Sequence, residues 1–529
     1  MSYSYKSILD GGADSDLIYY NASIVNNNSK DGVVTTFPQV RFNESRDAPI
    51  VKDASQYYFS VVRFAMNGPN KTLPLFIPQI QLNGSTFNVQ ADPNKTIYYV
   101  TLSYQREWAY TNLAGGVTTQ VVTVLPSSTN VTYRPQIQNQ QLAPIPPSPV
   151  TGITRQDVSN RYYWVYTYNH FVELVNETLV TAMFILWNSF QLQWANLPNI
   201  NLAVSPFPYP TFASFVAEHD IPFIQYNEET ELFEIYGDTR AFNVSGQFDA
   251  ISPTDVLGNT KGTNIPIPAF TPPPPPVAPT PAVATSEPYL RLFMNSSLFG
   301  LFNSFDNTFY GANFLSFLPQ PLTPTAPVQI PTVPTPIPFV CDYTYEILFS
   351  NKNYSNIENH NPTLQNFNAV PPPAYNPFFL IPSSKQNLYW KVIQDYNTTN
   401  SLWSPVSAIV FTSTLLPVKN EYTARPNIIN NDGNADVSTS SASAFDPIIC
   451  DFVIDQQQEK AQGWRDFVLY QPTAEFQMAS LTASHDEIRN IDVQVFWRHR
   501  LTNELIPMTM YNQSDVSIKC MFRKVDYRS

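Results

Sequence analysis

The chain has 529 residues, with 48 Pro, 16 Gly, 43% hydrophobic, 14% aromatic and 13% charged residues, and a formal net charge of −13. That much apolar surface excludes a disordered chain, the scarcity of Gly excludes collagen, and Lys, Glu, Ala and Leu do not dominate as a coiled coil requires. The negative field repels nucleic acid, and a composition rich in aromatics and uncharged polar residues favours β structure.

The first sixteen residues, MSYSYKSILDGGADSD, contain no apolar core, so no signal peptide is predicted. Residues 57–64, YYFSVVRF, are apolar on both faces and predict a central strand in a covered sheet. Residues 73–78, LPLFIP, are broken twice by Pro and predict an edge or sheet-crossing segment. Strands are expected at 97–104 and 117–124, then a hairpin from 223–226 to 232–236 around Asn227-Glu228-Glu229-Thr230. Between them, Phe171, Leu174, Val175, Leu179, Ala182, Met183, Leu186 and Phe190 recur at three and four residues and predict a helix over 170–192. Glu173, Asn176, Glu177 and Asn188 make it too polar for a membrane span. A short helix is expected over 296–305, capped by Asn295 or Ser296.

Pro-rich runs at 143–149, 265–288, 318–338 and 371–373 favour extended polyproline II, either as mobile loops or as arms laid over the core or a neighbouring subunit. Further strands are expected at 343–349, 406–416, 448–454, 491–498 and 516–522, with a soft loop at 427–444. Strand–helix alternation and a fixed repeat are both missing. The expected fold is mainly β: antiparallel jelly-roll sandwiches with few helices and long Pro-rich loops. Composition divides the chain into an N-terminal β region (1–140), a β region with the amphipathic helix (150–262), a Pro-rich insert or arm (263–340) and a C-terminal β region (341–529).

The search for chemistry returns no catalytic, cofactor-binding or metal-ligating residues. Phosphate-loop, dinucleotide, HExxH and GxSxG signatures are missing, and His170, His219, His360, His485 and His499 are scattered. His219-Asp220 and His485-Asp486-Glu487 put acids beside His in sequence, but neighbours on a strand face opposite ways. Glu228, Glu229 and Glu231 suit a solvated hairpin tip, and Asp10, Asp14 and Asp16 match no calcium-loop spacing. Tyr162, Tyr163, Trp164, Tyr166 and Tyr168 suit a core strand, with stacking on sugars or bases as the alternative. Cys341, Cys450 and Cys520 form no CxxC pair and fit small buried hydrophobes in a reducing compartment. Arg498, Arg500, Lys519, Arg523, Lys524 and Arg528 make the C-terminal end basic, as a solvated strand edge or as an inner surface facing an anionic partner.

The order of elements carries a resemblance. A helix at 170–192 precedes the hairpin around PFIQY and LFEI, then come LFMNSSLFGLF, AIVF through LPV, and finally IDVQVFW, IPM and 516–522. The turn before Ile506-Pro507 reads Leu501-Thr502-Asn503-Glu504, with no Gly. This grammar resembles the penton (vertex) and minor capsid proteins of polinton-like viruses and virophages, and less closely the double-jelly-roll major capsid proteins of that lineage. The resemblance implies a non-enzymatic structural protein of the virion, made in the host cell interior and assembled at capsid vertices. It implies homo-pentamers, with trimers as the alternative, and contacts with other capsid proteins; charge, motifs and helix polarity separately predict no cofactor, no specific nucleic-acid binding and no membrane span. A trimeric double-jelly-roll major capsid protein and a glycan-binding or glycan-cleaving β protein are the competing readings.

Overall fold

The computed structural model describes residues 15–26, 37–68, 73–81, 93–126, 128–136, 156–238, 240–242, 282–286, 288–310, 344–349, 358–359, 388–396, 403–423, 428–429, 435–436, 444–453, 467–472, 477–481, 485–511 and 514–525. Three strands come first: β1 (Leu17–Val25), β2 (Arg41–Ser45) and β3 (Tyr57–Asn67). β4 (Lys95–Thr111), β5 (Val117–Val124) and β6 (Thr129–Thr132) precede the helices α1 (Tyr168–Ala195) and α2 (Phe212–Glu218). β7 (Phe223–Asn227) and β8 (Leu232–Asp238) form the expected hairpin. β9 (Val283–Ala284), β10 (Tyr289–Asn295), α3 (Ser296–Leu301), β11 (Asn307–Tyr310), β12 (Thr344–Ile347), β13 (Glu358–Asn359) and β14 (Leu388–Ile393) complete the middle of the chain. Then follow β15 (Val406–Thr412), β16 (Glu421–Thr423), β17 (Ile428–Ile429), β18 (Ala435–Asp436), β19 (Ala444–Asp446) and β20 (Ile448–Phe452). The last are β21 (Phe467–Tyr470), β22 (Ala479–Ser480), β23 (Asn490–His499), β24 (Leu505–Pro507) and β25 (Asp515–Lys524).

Eight strands build a sandwich of two antiparallel sheets, ordered β1-β25-β3-β21 and β2-β23-β15-β20, with β22 added beside β3 and β24 beside β23. Counted along the chain among those eight, the orders are 1-8-3-6 and 2-7-4-5, which is a jelly roll. Both chain ends contribute: β1 pairs with β25 from Leu17 opposite Arg523 to Val25 opposite Asp515. Pairing therefore runs across the chain-order blocks that composition suggests. Everything from β4 to β14 is threaded between the third and fourth jelly-roll strands. It forms a seven-stranded sheet with the path β11-β12-β10-β4-β5 and a four-stranded sheet, β13-β14-β8-β7.

Side-chain pattern explains the register. In β25, Val516, Ile518, Cys520 and Phe522 are buried in the core, while Met521, on the opposite face, is buried outside that core cluster; the register shift after Lys519 leaves Val62 of β3 as the extra residue. β3 is buried along most of its length because β25 and β21 flank it. The segment around Leu75 and Phe76 crosses over, bonding to Val165 through both backbone N–H groups. Asn503 supplies what the Gly-free turn needs: it takes φ +54°, a left-handed conformation that Asn tolerates, and its N–H donates to the His499 carbonyl at 2.9 Å.

α1 is longer than the sequence reading by two residues at its start and three at its end. Thr167 caps it by accepting from His170 N–H, and the whole predicted stripe from Phe171 to Phe190 is buried. α2 escaped the sequence reading. Its capping box pairs Thr211 with Ser214 rather than the usual Glu or Gln, and it has only seven residues. Asn295 caps α3 as expected, but the helix stops at Leu301, and Phe302 and Phe305 enter the core from the turn beyond.

One core cluster runs through sandwich and insert together. Trp403 stands at the junction, its ring against Phe76, Tyr168, Phe171, Phe233 and Phe302 and its indole N–H donating to the Leu301 carbonyl at 3.0 Å. Trp164 of the insert meets Trp497 of β23 edge-on at 5.6 Å. The Pro-rich runs at 143–149, 318–338 and 371–373, most of 265–288 and most of the loop 427–444 lie outside the described residues.

Candidate functional site

Among the described residues, the sequence pairs a histidine with neighbouring acids at His485 and at His219, and the structure treats the two differently. Asp53, Ser55 and His485 converge from distant parts of the chain, with Ser55 Oγ 3.2 Å and Asp53 Oδ2 3.3 Å from the same ring nitrogen, Nδ1. A nucleophile–base–orienter relay needs its partners on opposite nitrogens. Here both share one, and Ser55 Oγ donates to Asp53 Oδ1 at 2.6 Å. The His485 side chain is 83% exposed, so the trio is a surface latch holding the turn before β3 to the segment before β23. Its hydrogen bonds, chiefly the one from the Ser55 hydroxyl, lower the Asp53 carboxyl below its ordinary range.

His219 and Asp220 are neighbours in sequence and turn into separate networks. His219 Nε2 lies 3.2 Å from the Tyr209 hydroxyl, and Arg106 donates to Tyr209 at 3.0 Å and to Glu218 at 2.7 Å. Burial pushes the His219 pKa down to about 3, so the ring is neutral. Asp220 instead accepts from the Tyr389 hydroxyl at 3.1 Å, and Arg240 reaches both it and Asp238. Arg291 and Glu346 pair across β10 and β12, and Lys391 reaches Glu234 at 3.2 Å. Each of these buried carboxylates has a cation beside it, as burial requires.

The sandwich holds one buried carboxylate among the described residues, Asp492 on β23. It accepts from the Ser413 hydroxyl, from Thr414 N–H at 3.0 Å and hydroxyl at 2.8 Å, and from Leu415 N–H at 2.9 Å. Burial opposes ionisation, but these donors together hold its carboxyl below the ordinary range. The group pins the chain leaving β15 onto the neighbouring strand. Alternation along β23 sets Asp492 on the face opposite Ile491, Val493, Val495 and Trp497, and the loop of donors after β15 is what buries it there.

The other sequence candidates resolve as architecture. Tyr162, Tyr163, Trp164 and Tyr166 are buried, with the Tyr133 hydroxyl donating to the Tyr162 and Trp164 carbonyls, so they stack on one another and not on a ligand. Glu228 and Glu229 are exposed on the β7–β8 turn, which Asn227 Oδ1 organises by accepting from Glu229 N–H at 2.9 Å. Asp16 is exposed and 3.8 Å from Lys524, while Asp10 and Asp14 lie outside the described residues. Among the described residues no group of three or more His, Cys, Asp or Glu is placed to hold a metal ion. Cys450 and Cys520 are buried free thiols, burial pushing the former up to about 12, and Cys341 lies outside the described residues.

The basic C-terminal strand is not a sheet edge. β25 lies between β1 and β3, so neighbours rather than solvent surround its backbone. Arg498 donates to Asp451 at 2.9 Å, and Lys519 Nζ sits 4.6 Å from the Tyr19 ring centroid. Arg528 lies outside the described residues.

What this molecule offers is therefore wall: two packed sheets, in which β1 and β2 are terminal strands among the described residues, and an insert carried between two strands of one sandwich. The class so defined is the jelly-roll shell protein, whose work is done by surfaces. The family model described as Sputnik minor capsid protein V18/19 matches residues 18–524, and the chain belongs to that family of viral capsid structural proteins. "Uncharacterized protein V18" of Sputnik virophage is 31% identical over 182 residues, 34% of this chain and 90% of that protein. A chain in the 3.5 Å cryo-EM structure of the Sputnik virophage superposes with TM-score 0.54 at 19% identity, over 96% of this chain and 98% of its own. The crystal structure of the mavirus penton protein covers 96% of this chain and 99% of its own at 14% identity, with TM-score 0.43. Membership makes the chain a component of the virion capsid, in line with the resemblance read from the order of its elements.

Proposed function

We propose that this minor capsid protein is the vertex protein of its shell, five copies closing each five-fold position. The observation that carries the reading is the single eight-stranded jelly roll. A double-jelly-roll major capsid protein presents six jelly rolls per trimer. Among the described residues, the sheets of the middle stretch follow different strand orders and supply no second eight-stranded set. One jelly roll per copy suits a ring whose rotation closes on itself. In this reading residues 15–68 and 403–525 form the wall and residues 73–396 a domain carried on it. The glycan-binding alternative loses support, since Tyr162, Tyr163, Trp164 and Tyr166 are buried and the half-buried Tyr168 packs against the core.

Analytical ultracentrifugation of the purified full chain tests the proposal. A pentamer is the expected species, and a stable trimer would overturn it in favour of the major-capsid reading.

A further inference from the structure

Residues 108–133 and 178–217 contain no charged side chain, and the two segments meet at one end of the insert. After α1, Asn196 Nδ2 donates to the Leu192 carbonyl at 2.9 Å, Leu113 N–H to the Asn199 carbonyl at 2.7 Å, and Asn201 N–H to the Thr111 carbonyl at 3.0 Å. The last two bonds tie the segment after the helix to the β4–β5 turn, where Gly115 takes φ +82°. On this end Leu113 is 70%, Leu192 68%, Val117 65% and Leu202 48% exposed.

A surface helix ordinarily turns charge to water. The exposed positions of α1 along its second half are Thr181, Phe184, Gln191, Leu192, Gln193 and Ala195, none of them charged. Beside it, β5 is a terminal strand of the seven-stranded sheet. A free edge is normally blunted by Lys, Pro or a bulge. β5 reads VTTQVVTV and pairs with β4 without a register shift, so it has none of the three.

We propose that this charge-free end is the surface by which one copy of the chain seats against a second copy. The charge distribution selects the occupant. Copies with a formal charge of −13 repel one another, and their contact costs least where no charge has to be desolvated. A polyanion or a basic partner would find no counter-charge here. A second copy brings a matching uncharged surface, and its strand edge brings N–H and C=O groups complementary to those of β5. The inference rests on the vertex reading for the presence of adjacent copies, and deepens it by naming a contact between them.

The test is sedimentation of the full chain as wild type, as Leu113→Lys/Leu192→Lys, as each single lysine variant, and as Leu415→Lys, which puts the charge of one such lysine on an exposed residue of the sandwich. The double variant is expected to need at least tenfold more protein to assemble, with the Leu415 variant matching wild type. A fluorophore on Leu192→Cys, read against one on Leu415→Cys, should shift to the blue as protein concentration rises, which keeps the test open if the lysines perturb folding. Unchanged assembly of the double variant, or an unmoved label, overturns the inference and leaves a wild-type pentamer as evidence for the vertex reading. A wild-type trimer dispersed by the two lysines does the reverse. A monomeric wild type whose label shifts only with neutral phosphatidylcholine vesicles assigns the face to lipid and also overturns the inference.

Discussion

The sandwich and the insert solve burial differently. Between its sheets the sandwich packs Phe59, Phe64, Phe411, Val495 and Trp497, and among its described residues it buries one carboxylate, held by neutral hydroxyl and backbone donors. The insert buries Asp220, Glu234, Asp238 and Glu346 and matches them with Arg240, Lys391 and Arg291. The contrast follows from topology. A jelly roll closes two sheets over alternating side chains, so polar residues can all be sent outward. The insert stacks a 28-residue helix against several strands of mixed order, and polar positions become trapped and must be paired.

The sharpest way to break this comparison is to remove one ion from each region. Arg291→Met leaves Glu346 buried without its partner and should cost about 3–5 kcal/mol in urea denaturation, while Arg291→Met/Glu346→Leu should recover most of that loss. If the double change costs as much as the single one, the pair is not what the insert depends on. Asp492→Asn points an amide N–H₂ toward donors in the sandwich and should cost about 1–3 kcal/mol by the same measurement. An equal loss at both sites would erase the distinction.

Acid sharpens it further, with a smaller effect. Burial holds the pKa of His170 at about 4 and that of His219 at about 3, against an ordinary 6.5. The unfolded chain therefore takes up protons between pH 6.5 and 4 that these two rings refuse. Stability should fall with pH in that window, by up to about 1.4 kcal/mol per pH unit for each ring. Asp492 has the opposite timing: its depressed pKa contributes stability above 3.8 that is lost only as pH falls below that value. Urea midpoints at pH 7 and 5.5 should differ for wild type and differ less for His219→Gln. A flat profile would mean the rings are not buried as neutral species.

Period and punctuation were enough to find the elements that bury one clean face. The stripe of α1, the alternation in β23 and β25, the β7–β8 hairpin and the Asn295 cap each announce themselves within a few residues. β1 was missed, and its pattern shows why. LIYYNASIV leaves Tyr19 and Val25 exposed on its outer side, so alternation between apolar and polar residues is blurred. The candidate chemistry was legible mainly as an empty list, since sequence spacing tells nothing of Asp53 meeting His485 across more than four hundred residues, nor that both bond one nitrogen.

Low charge, aromatic and β-branched runs and scarce Gly determined by themselves that this chain would build antiparallel walls, because those properties act over a strand's length. Only tertiary structure decided that β1 would lie beside β25, that residues 73–396 would interrupt one sandwich, and that the basic last strand would sit in mid-sheet. Those outcomes depend on which distant edges close together. Pairing of that kind is selected by the fit of whole faces, and a local window of sequence does not contain it.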